Sequence, residues 1–322
     1  MIIVTGAAGF IGSCLVAHLN EKNIRNIGLV DDFNSELKNK NIADKRFLNI
    51  IDRAEFVQWL DIQHDSIECV VHLGARTDTT EFNYDVFQKL NVDFTKDLWQ
   101  RCAQHDIPFI YASSAATYGD GSLGYSDSHE LISQLQPLNP YGRSKQEVDE
   151  WILQQPDTPR RWYGLKFFNV YGPNEYHKRR MASVVFHAFN QINETGKAKL
   201  FKSHRDDYED GKQLRDFVYV KDVCSVIEWL MENENAPSGI YNLGTGQART
   251  FADLVESVFA SLDKPSNIDW IEIPTDIRDK YQYFTEADMT KLRSVGYTKP
   301  FYSLEDGVKD YVLNYLVPNK YY

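Results

Sequence analysis

Two short motifs in this chain carry residue types that could do chemistry on a carbon bearing a hydroxyl group. Gly6, Gly9 and Gly12 form a glycine-rich loop near the start, and Tyr141 and Lys145 follow near the middle. A lysine four residues after a tyrosine lies on the same face of a helix, where its positive charge favours ionisation of the phenol. An ionised phenol can accept a proton from a hydroxyl group while a hydride leaves the same carbon. The pair therefore predicts acid–base chemistry beside a nicotinamide ring.

A pair of serines precedes this helix, at the end of a predicted strand. Ser113 and Ser114 follow the apolar run that begins at Phe109. The hydroxyl of Ser114 can hydrogen-bond the reacting oxygen, and Lys145 can also hold the ribose next to the nicotinamide. A chance surface pair is the alternative for Tyr141 and Lys145, and the serines and the glycine loop together weigh against it.

The glycine-rich loop follows Ile2–Thr5, an apolar run typical of a strand buried on both faces. Gly6 permits a tight turn, and Gly9 lets the backbone approach a pyrophosphate. Gly12 lets the next helix pack closely, with its N-terminus aimed at the phosphates. The pattern predicts a dinucleotide site whose phosphate-binding residues are Gly6, Gly9, Phe10, Ile11 and Gly12.

Acidic residues end the second predicted strand, where the ribose of a dinucleotide would lie. A carboxylate at Asp31 or Asp32 can accept hydrogen bonds from ribose hydroxyls, which favours NAD. Lys38 and Arg53 follow and could neutralise the 2′-phosphate of NADP. The residues alone therefore leave the choice between NAD and NADP open.

The segment His72–Ala75 ends another predicted strand, and small residues there would let the backbone lie against the cofactor. Leu73, Gly74 and Ala75 are the residues expected to contact it. Asn91, on the next predicted helix, could bond the backbone at this sheet end, with a plain exposed helix asparagine as the alternative.

Apolar runs alternate with amphipathic stretches of helix length, which predicts an α/β fold with a Rossmann-like, doubly wound parallel sheet. Residues 1–172 are expected to form mainly the dinucleotide-binding domain. Residues 173–322 are expected to form mainly a smaller α/β substrate lobe, with some segments returning to the first domain. The predicted strands are Ile2–Thr5, Ile27–Asp31, Cys69–Leu73, Phe109–Ser113, Tyr163–Phe168, Lys199–Phe201, Asp216–Val220, Gly239–Leu243 and Ile268–Ile273. The predicted helices are Gly9–Lys22, Tyr84–His105, Tyr141–Gln155, Met181–Glu194, Val220–Asn233, Phe251–Leu262, Thr285–Ser294 and Ser303–Tyr315.

Composition limits the classes of protein this chain can belong to. Its 322 residues are 43% hydrophobic, as in a globular core, and the net charge of -11 disfavours nucleic acid as a partner. The four cysteines are far apart, so buried free thiols in a reducing cytoplasm are expected rather than disulfides or a metal site. A strand beginning at Ile2 leaves no room for a signal peptide, and no apolar run is long enough to span a bilayer.

Taken together, the motifs resemble the extended short-chain dehydrogenase/reductase superfamily. Later segments make the whole chain similar to the ADP-L-glycero-D-manno-heptose 6-epimerase family. These segments are Ala112–Gly119, Phe167–Pro173, His177–Lys178, Met181–His187, Leu200–Phe201, Arg215–Val220 and Asn242–Gly246.

The resemblance implies that bound NADP oxidises C6 of an ADP-heptose to a ketone, which is then reduced from its other face, in the biosynthesis of lipopolysaccharide core heptose. Tyr141 matches one acid/base group and Lys178 the other. The resemblance also places Val170 and Lys178 against the cofactor, and we expect a homo-oligomer. The residues that it assigns to the substrate are Ser114, Asn169, Arg180, His187, Phe201, Arg215 and Tyr281. The guanidinium of Arg215 suits a bidentate grip on a pyrophosphate.

Some positions depart from the family pattern, and two other functions are alternatives. Asp32 and Arg180 stand where uncharged residues are common, and an acidic insertion, His204–Gln213, precedes Arg215. A hexose 4-epimerase or 4,6-dehydratase is one alternative, although Ala115–Thr117 lacks the Asp-Glu pair that a dehydratase uses. A regulator or scaffold without catalysis is the other, and such proteins often lose the tyrosine or the lysine that this chain retains.

Overall fold

The computed structural model describes residues 1–79, 81–278 and 281–322. In this part of the chain the strands are β1 (Ile2–Thr5), β2 (Ile27–Asp31), β3 (Asn49–Asp52), β4 (Cys69–His72), β5 (Phe109–Ser114), β6 (Trp162–Phe167), β7 (Asn169–Tyr171), β8 (Ala198–Phe201), β9 (Leu214–Tyr219), β10 (Gly239–Leu243), β11 (Ala248–Thr250) and β12 (Ile268–Ile271). The helices are α1 (Phe10–Glu21), α2 (Glu36–Asn39), α3 (Phe56–Gln63), α4 (Tyr84–Phe87), α5 (Phe94–Gln104), α6 (His129–Ile132), α7 (Pro140–Leu153), α8 (Val184–Thr195), α9 (Val220–Glu232), α10 (Phe251–Ser261), α11 (Thr275–Arg278), α12 (Thr290–Ser294) and α13 (Leu304–Tyr311).

The central sheet contains seven of the described strands, in the order β10-β6-β5-β4-β1-β2-β3, and all of its pairings are parallel. The chain runs outward from β1 through β2 to β3, then returns to the other side of β1 and continues through β4, β5 and β6. The strand order therefore reverses between β1 and β4. Ligands of such sheets bind at the carboxyl ends of the strands beside this reversal.

The sequence of the central strands explains why they are buried. β1 and β2 are buried at every residue, as expected for strands covered by helices on both faces. The predicted Rossmann-like α/β fold is confirmed. β10 comes from the second half of the chain and completes one edge of this sheet.

Two smaller sheets lie in the second half of the chain. β9 pairs antiparallel with β11 and parallel with β7, and β12 pairs with β8. These strands carry the residues predicted to contact the substrate, because Asn169 begins β7, Phe201 ends β8 and Arg215 lies in β9. α8 and α10 pack against each other beside β8.

The structure differs from the predicted elements in several places. β3 and α3 were not predicted, and the predicted helix over Thr285–Ser294 is present only as α12. The predicted helix from Met181 begins at Val184, because the hydroxyl of Ser183 accepts a hydrogen bond from the Phe186 amide and caps it. The long helix predicted from Tyr84 is interrupted by a π-helical turn, Gln88–Asp93, between α4 and α5.

The four cysteines are buried and unpaired, as predicted. No helix in the described residues is long and apolar enough to cross a membrane.

Candidate active site

The glycine-rich loop joins β1 to α1 at the strand reversal. Gly6 has a φ of 66°, and a side chain there would lie 2.7 Å from the backbone of Gly74. A Cβ atom on Gly12 would lie 2.2 Å from the carbonyl oxygen of Gly6, so the helix can pack this closely only with glycine. No described side chain caps the start of α1, which follows Gly9. The first turn of this helix, described at every residue, contains no acidic side chain. The amides at this helix start therefore form a cradle that fits the pyrophosphate of a dinucleotide.

The acidic residues at the end of β2 contact this loop. The carboxylate of Asp31 accepts a hydrogen bond from the Ala8 amide at 2.9 Å and forms an ion pair with Lys38. Asp32 lies 3.9 Å from Arg53, and a backbone hydrogen bond from Asn34 holds its pKa below the ordinary value. Two carboxylates and two cations thus meet where the ribose of a dinucleotide would lie.

The segment after β4 forms the other wall of the groove. Leu73, Gly74 and Ala75 line it together with the glycine loop. Asn91 is fully buried; its amide oxygen accepts from the Arg76 amide at 2.7 Å, and its amide nitrogen donates to the Arg76 carbonyl. Asn91 therefore fixes the backbone just beyond the sheet, at the interruption between α4 and α5.

Tyr141 and Lys145 lie on α7, whose start is capped by the Asn139 side chain. The ammonium of Lys145 donates to the Ala112 carbonyl in β5 at 2.8 Å, and burial lowers its pKa to about 8. Burial raises the pKa of Tyr141, whereas its hydrogen bond with Ser114 lowers it. The structure thus brings Ser114, Tyr141 and Lys145 together at the carboxyl end of β5.

Lys178 lines the same groove beside the glycine loop. It belongs to a 3-10 segment, Tyr176–Met181, and its ammonium is 5.3 Å from the centre of the Phe10 ring in α1. Burial lowers the pKa of Lys178, and the Glu175 carboxylate opposes that shift. The neighbouring cations Arg179 and Arg180 are exposed, so burial rather than their repulsion lowers this pKa.

Three of the residues predicted to bind substrate meet in the second half of the chain. The Arg215 guanidinium lies 5.5 Å from the Tyr281 ring, and that ring packs edge-on against Phe201 at 6.0 Å. Arg215 is 7% exposed and donates to the carbonyls of Leu214 and Gln282.

The other residues predicted to contact ligands lie on β7, on α8 and in the segment that contains Lys178. Asn169 is exposed and Val170 half-buried in β7. His187 is half-buried on α8. Arg180 pairs with Asp78 at 3.3 Å, from the segment after β4.

Several residues that organise the site were missed by the sequence analysis. The hydroxyl of Thr5 accepts from the Gly74 amide at 3.1 Å and lies 2.6 Å from the His72 ring, so it ties the ends of β1 and β4 together. Asp149 and Lys166 form a fully buried ion pair behind the serines. Two features of the sequence could have indicated this pair. One is a lysine in the otherwise apolar β6, and the other is an aspartate four residues after Lys145.

In the described part of the chain, no cluster of three or more histidine, cysteine, aspartate or glutamate residues is arranged to hold a metal ion.

A dinucleotide cradle beside a serine, a tyrosine and a lysine defines a class of nicotinamide-dependent enzymes. The chain belongs to the NAD dependent epimerase/dehydratase family, whose family model matches residues 2–244. It is 50% identical, over the whole of both chains, to the ADP-L-glycero-D-manno-heptose-6-epimerase of Fusobacterium nucleatum. It is 46% identical to the protein of that name from Nitratidesulfovibrio vulgaris, with 98% of each chain covered.

A solved structure agrees with these relatives. The crystal structure of ADP-L-glycero-D-manno-heptose-6-epimerase from Helicobacter pylori matches with a TM-score of 0.80 and 31% identity. The match covers 97% of this chain and 95% of that chain. The family resemblance found in the motifs is therefore confirmed.

Proposed function

We propose that this protein inverts the configuration at C6 of ADP-D-glycero-D-manno-heptose to give ADP-L-glycero-D-manno-heptose, in the biosynthesis of lipopolysaccharide core heptose. The observation that carries the proposal is the juxtaposition of Ser114, Tyr141 and Lys145 at the sheet edge that also bears the glycine loop. Full-length similarity to two relatives named for this reaction supports it.

Inverting a carbon through a ketone requires proton transfer on both faces of that carbon. The glycine loop would hold a nicotinamide dinucleotide, which would supply the hydride acceptor and donor. On one face, Tyr141 exchanges the proton of the 6-hydroxyl while Ser114 holds the oxygen. Because burial raises the pKa of Tyr141, nearby positive charge is needed to favour the ionised phenol, and Lys145 supplies part of it. Lys178 is assigned to proton transfer on the other face.

The second half of the chain is proposed to hold the ADP-sugar. Arg215 is a buried cation flanked by the aromatic rings of Phe251 and Tyr281, and a guanidinium suits two phosphate oxygens at once. Phe201 packs against Tyr281 beside it. Asn169, Arg180 and His187 complete the proposed substrate contacts.

The proposed cofactor is NADP, with NAD as the alternative. Lys38 and Arg53 place two cations at the ribose end of the groove, and a 2′-phosphate would pair with them. Denaturing the purified protein and identifying the released dinucleotide tests this assignment. Release of NAD alone would overturn the assignment of NADP as the cofactor. If the protein neither releases nor binds either dinucleotide, the proposal of a nicotinamide-dependent enzyme is contradicted.

The proposal includes a homo-oligomer that works in the cytoplasm. The buried, unpaired thiols suit a reducing compartment. Light scattering coupled to gel filtration measures the mass in solution, and the mass of a single chain would contradict the oligomer.

The reaction is tested by incubating the protein with ADP-D-glycero-D-manno-heptose and separating the two C6 epimers. Both epimers are expected to appear from either starting sugar, without added oxidant or reductant. Absence of interconversion, together with turnover of a UDP-hexose in a parallel assay, would assign the site to the hexose 4-epimerase alternative.

A further inference from the structure

Three polar side chains form a line on α7. Tyr141, Lys145 and Asp149 are spaced four residues apart, so they lie on one face of the helix. That face packs against β5, the strand that ends at Ser114. Tyr141 and Lys145 have proposed roles in the reaction, whereas Asp149 has none so far.

Asp149 is fully buried and makes contacts on two strands. One carboxylate oxygen accepts from the Tyr111 hydroxyl at 2.9 Å. The other accepts from the Ser113 hydroxyl and from the ammonium of Lys166 in β6, each at 2.6 Å. Lys166 is also fully buried, so the two charges neutralise each other inside the protein.

The pair is connected to Ser114 by a short chain of hydrogen bonds. The ammonium of Lys166 donates to the hydroxyl of Thr117 at 2.7 Å, and that hydroxyl donates to the Ser114 carbonyl at 2.8 Å. Lys145 holds the Ala112 carbonyl two residues earlier. Each of the last three residues of β5 is therefore held by a side chain: Ala112 by Lys145, Ser113 by Asp149 and Ser114 by Thr117.

Stability alone does not account for a charged pair at this depth. Removing two charges from water costs several kcal/mol for each, by an order-of-magnitude estimate, and apolar replacements of buried pairs are often neutral or stabilising. β6 is apolar around Lys166 and could accommodate such a replacement. A role in the reaction explains why the charges lie directly behind Ser113 and Ser114.

We propose that Asp149 and Lys166 are positioning residues of the epimerase site, which fix the end of β5 and set the charge felt by Tyr141 and Lys145. This inference rests on the proposed function. Neither residue is assigned a contact with substrate or cofactor; both act through Ser114, Tyr141 and Lys145.

The negative charge of Asp149 acts on the pKa values of Tyr141 and Lys145 in one direction. Burial lowers the pKa of Lys145 and the Asp149 carboxylate opposes that shift, whereas burial and the carboxylate both raise the pKa of Tyr141. The titratable groups on which Asp149 acts are Tyr111, Tyr118, His129, Tyr141, Lys145 and Lys166. Removing the negative charge therefore favours the deprotonated forms of Tyr141 and Lys145.

The main test is the double variant Asp149→Asn with Lys166→Gln, which removes both charges and leaves neither unpaired. We expect kcat to fall about 10- to 100-fold, because Ser114 is less well positioned. The low-pH limb of the kcat/KM profile should move to lower pH, because the carboxylate that favours the protonated forms of Tyr141 and Lys145 is gone. Binding of NADP, measured by titration calorimetry, should be unchanged.

The matched control removes another buried pair. His18 and Glu228 are 2.8 Å apart between α1 and α9, and both are largely buried. The double variant His18→Gln with Glu228→Gln should be destabilised without a change in kcat or in the pH profile. If the Asp149 and Lys166 variant behaves like this control, the pair is only structural and the inference is overturned.

A second variant decides the question if the double variant does not fold. Thr117→Val preserves both charges and breaks only the connection to Ser114. We expect a lower kcat with an unchanged KM and pH profile, and a wild-type kcat would overturn the positioning role. These outcomes are distinct from failure of the proposed function, which would appear as inactivity of the unmodified protein towards the ADP-heptose.

Discussion

The two lysines proposed to take part in the reaction, Lys145 and Lys178, lie in different kinds of structure. One lies in a regular α-helix and the other in a short 3-10 segment. Lys145 lies in the 14-residue helix α7, which has Pro140 in its first turn and the Asn139 side chain as its cap. It is 4% exposed, and its ammonium donates to a carbonyl of β5. Lys178 lies in a six-residue 3-10 segment, in which Arg179 has a φ of 50°.

The difference shows which part of the site follows from regular structure. The separation of Tyr141 and Lys145 follows from helix geometry. The segment around Lys178 has no such repeat, and single side chains hold it in place. The Glu175 carboxylate accepts from the amide and the hydroxyl of Ser183, both at 2.6 Å. Substitutions near Lys178 should therefore disturb its placement more than substitutions in α7 disturb Lys145.

The largest effect is expected from Tyr141→Phe, which removes the proposed proton carrier and preserves the ring. Turnover of the ADP-heptose should fall by roughly 10²- to 10⁴-fold, the usual contribution of general acid–base catalysis. Dinucleotide binding should barely change. Steady-state kinetics and calorimetry measure the two quantities.

Tyr163→Phe is the control for Tyr141→Phe. Tyr163 is buried in β6 and its hydroxyl donates to the Ala236 carbonyl, so its loss should affect stability rather than turnover. A fully active Tyr141→Phe variant would show that another group transfers the proton.

Lys178→Met tests the loop side of the comparison. Epimerisation should fall by about 10²-fold or more, because one face of the ketone loses its proton donor. The fold and dinucleotide binding should remain intact. Arg179→Met is the matched control, since Arg179 is the exposed neighbour of Lys178, and it should retain activity.

Lys178→Met also has a stereochemical readout. With a C6-aldehyde analogue, dismutation by this variant should become one-sided, because only the Tyr141 face still transfers a proton. Equal rates for Lys178→Met and the unmodified protein would leave Lys178 as a charge lining the groove, and His177, which also lines it, would become the next residue to test.

Much of the fold could be predicted because the central strands are apolar at successive positions. β3 could not, since it is an edge strand in which Ile51 is buried while its neighbour Ile50 is 55% exposed. The helix predicted over Thr285–Ser294 is too long for another reason. The amide of Thr285 donates to the Leu214 carbonyl and that of Ala287 to the Asp216 carboxylate, so long-range contacts hold the start of the predicted helix against β9.

The candidate site, like the fold, has some features that the sequence predicts and others that it does not. The glycine loop and the spacing of Tyr141 and Lys145 are local patterns, so the sequence predicts them and the family. The contacts of Asp149 with Lys166, and of Thr5 with His72, join residues that are distant in the chain. No local spacing indicates which distant strand will supply the partner.

A smaller effect is expected from Glu175→Gln, which weakens the attachment of the Lys178 segment. The carboxylate also raises the pKa of Lys178, so the variant should show a lower pKa for that group and a pH optimum at lower pH. We expect kcat to fall by about 10-fold, less than for Tyr141→Phe, because Glu175 holds the segment and touches no reacting atom. Glu194→Gln, an exposed change on α8, should retain the wild-type profile. An unchanged pH optimum in Glu175→Gln would contradict this role for the carboxylate.

The smallest effect on turnover is expected for substitution of His72, in β4. The test there is the stability of the folded protein as a function of pH. His72 is 2% exposed, and burial lowers its pKa to about 3. The folded protein therefore keeps His72 neutral, while the unfolded chain binds a proton below about pH 6.5. The stabilisation is fully present above that pH and is lost as the pH falls towards the folded pKa.

The loss at His72 should reach roughly 3 kcal/mol near pH 4. Urea denaturation at a series of pH values measures it as the slope of the free energy of unfolding against pH. His72→Gln should be less stable at neutral pH, because the bonds of the imidazole to Thr5 and Thr95 are altered. Between about pH 6.5 and pH 4, the free energy of unfolding of this variant should change less steeply with pH, by the equivalent of roughly one bound proton. His64→Gln, outside the core, should keep the wild-type slope, and an equal slope in both variants would show that His72 is not the group responsible.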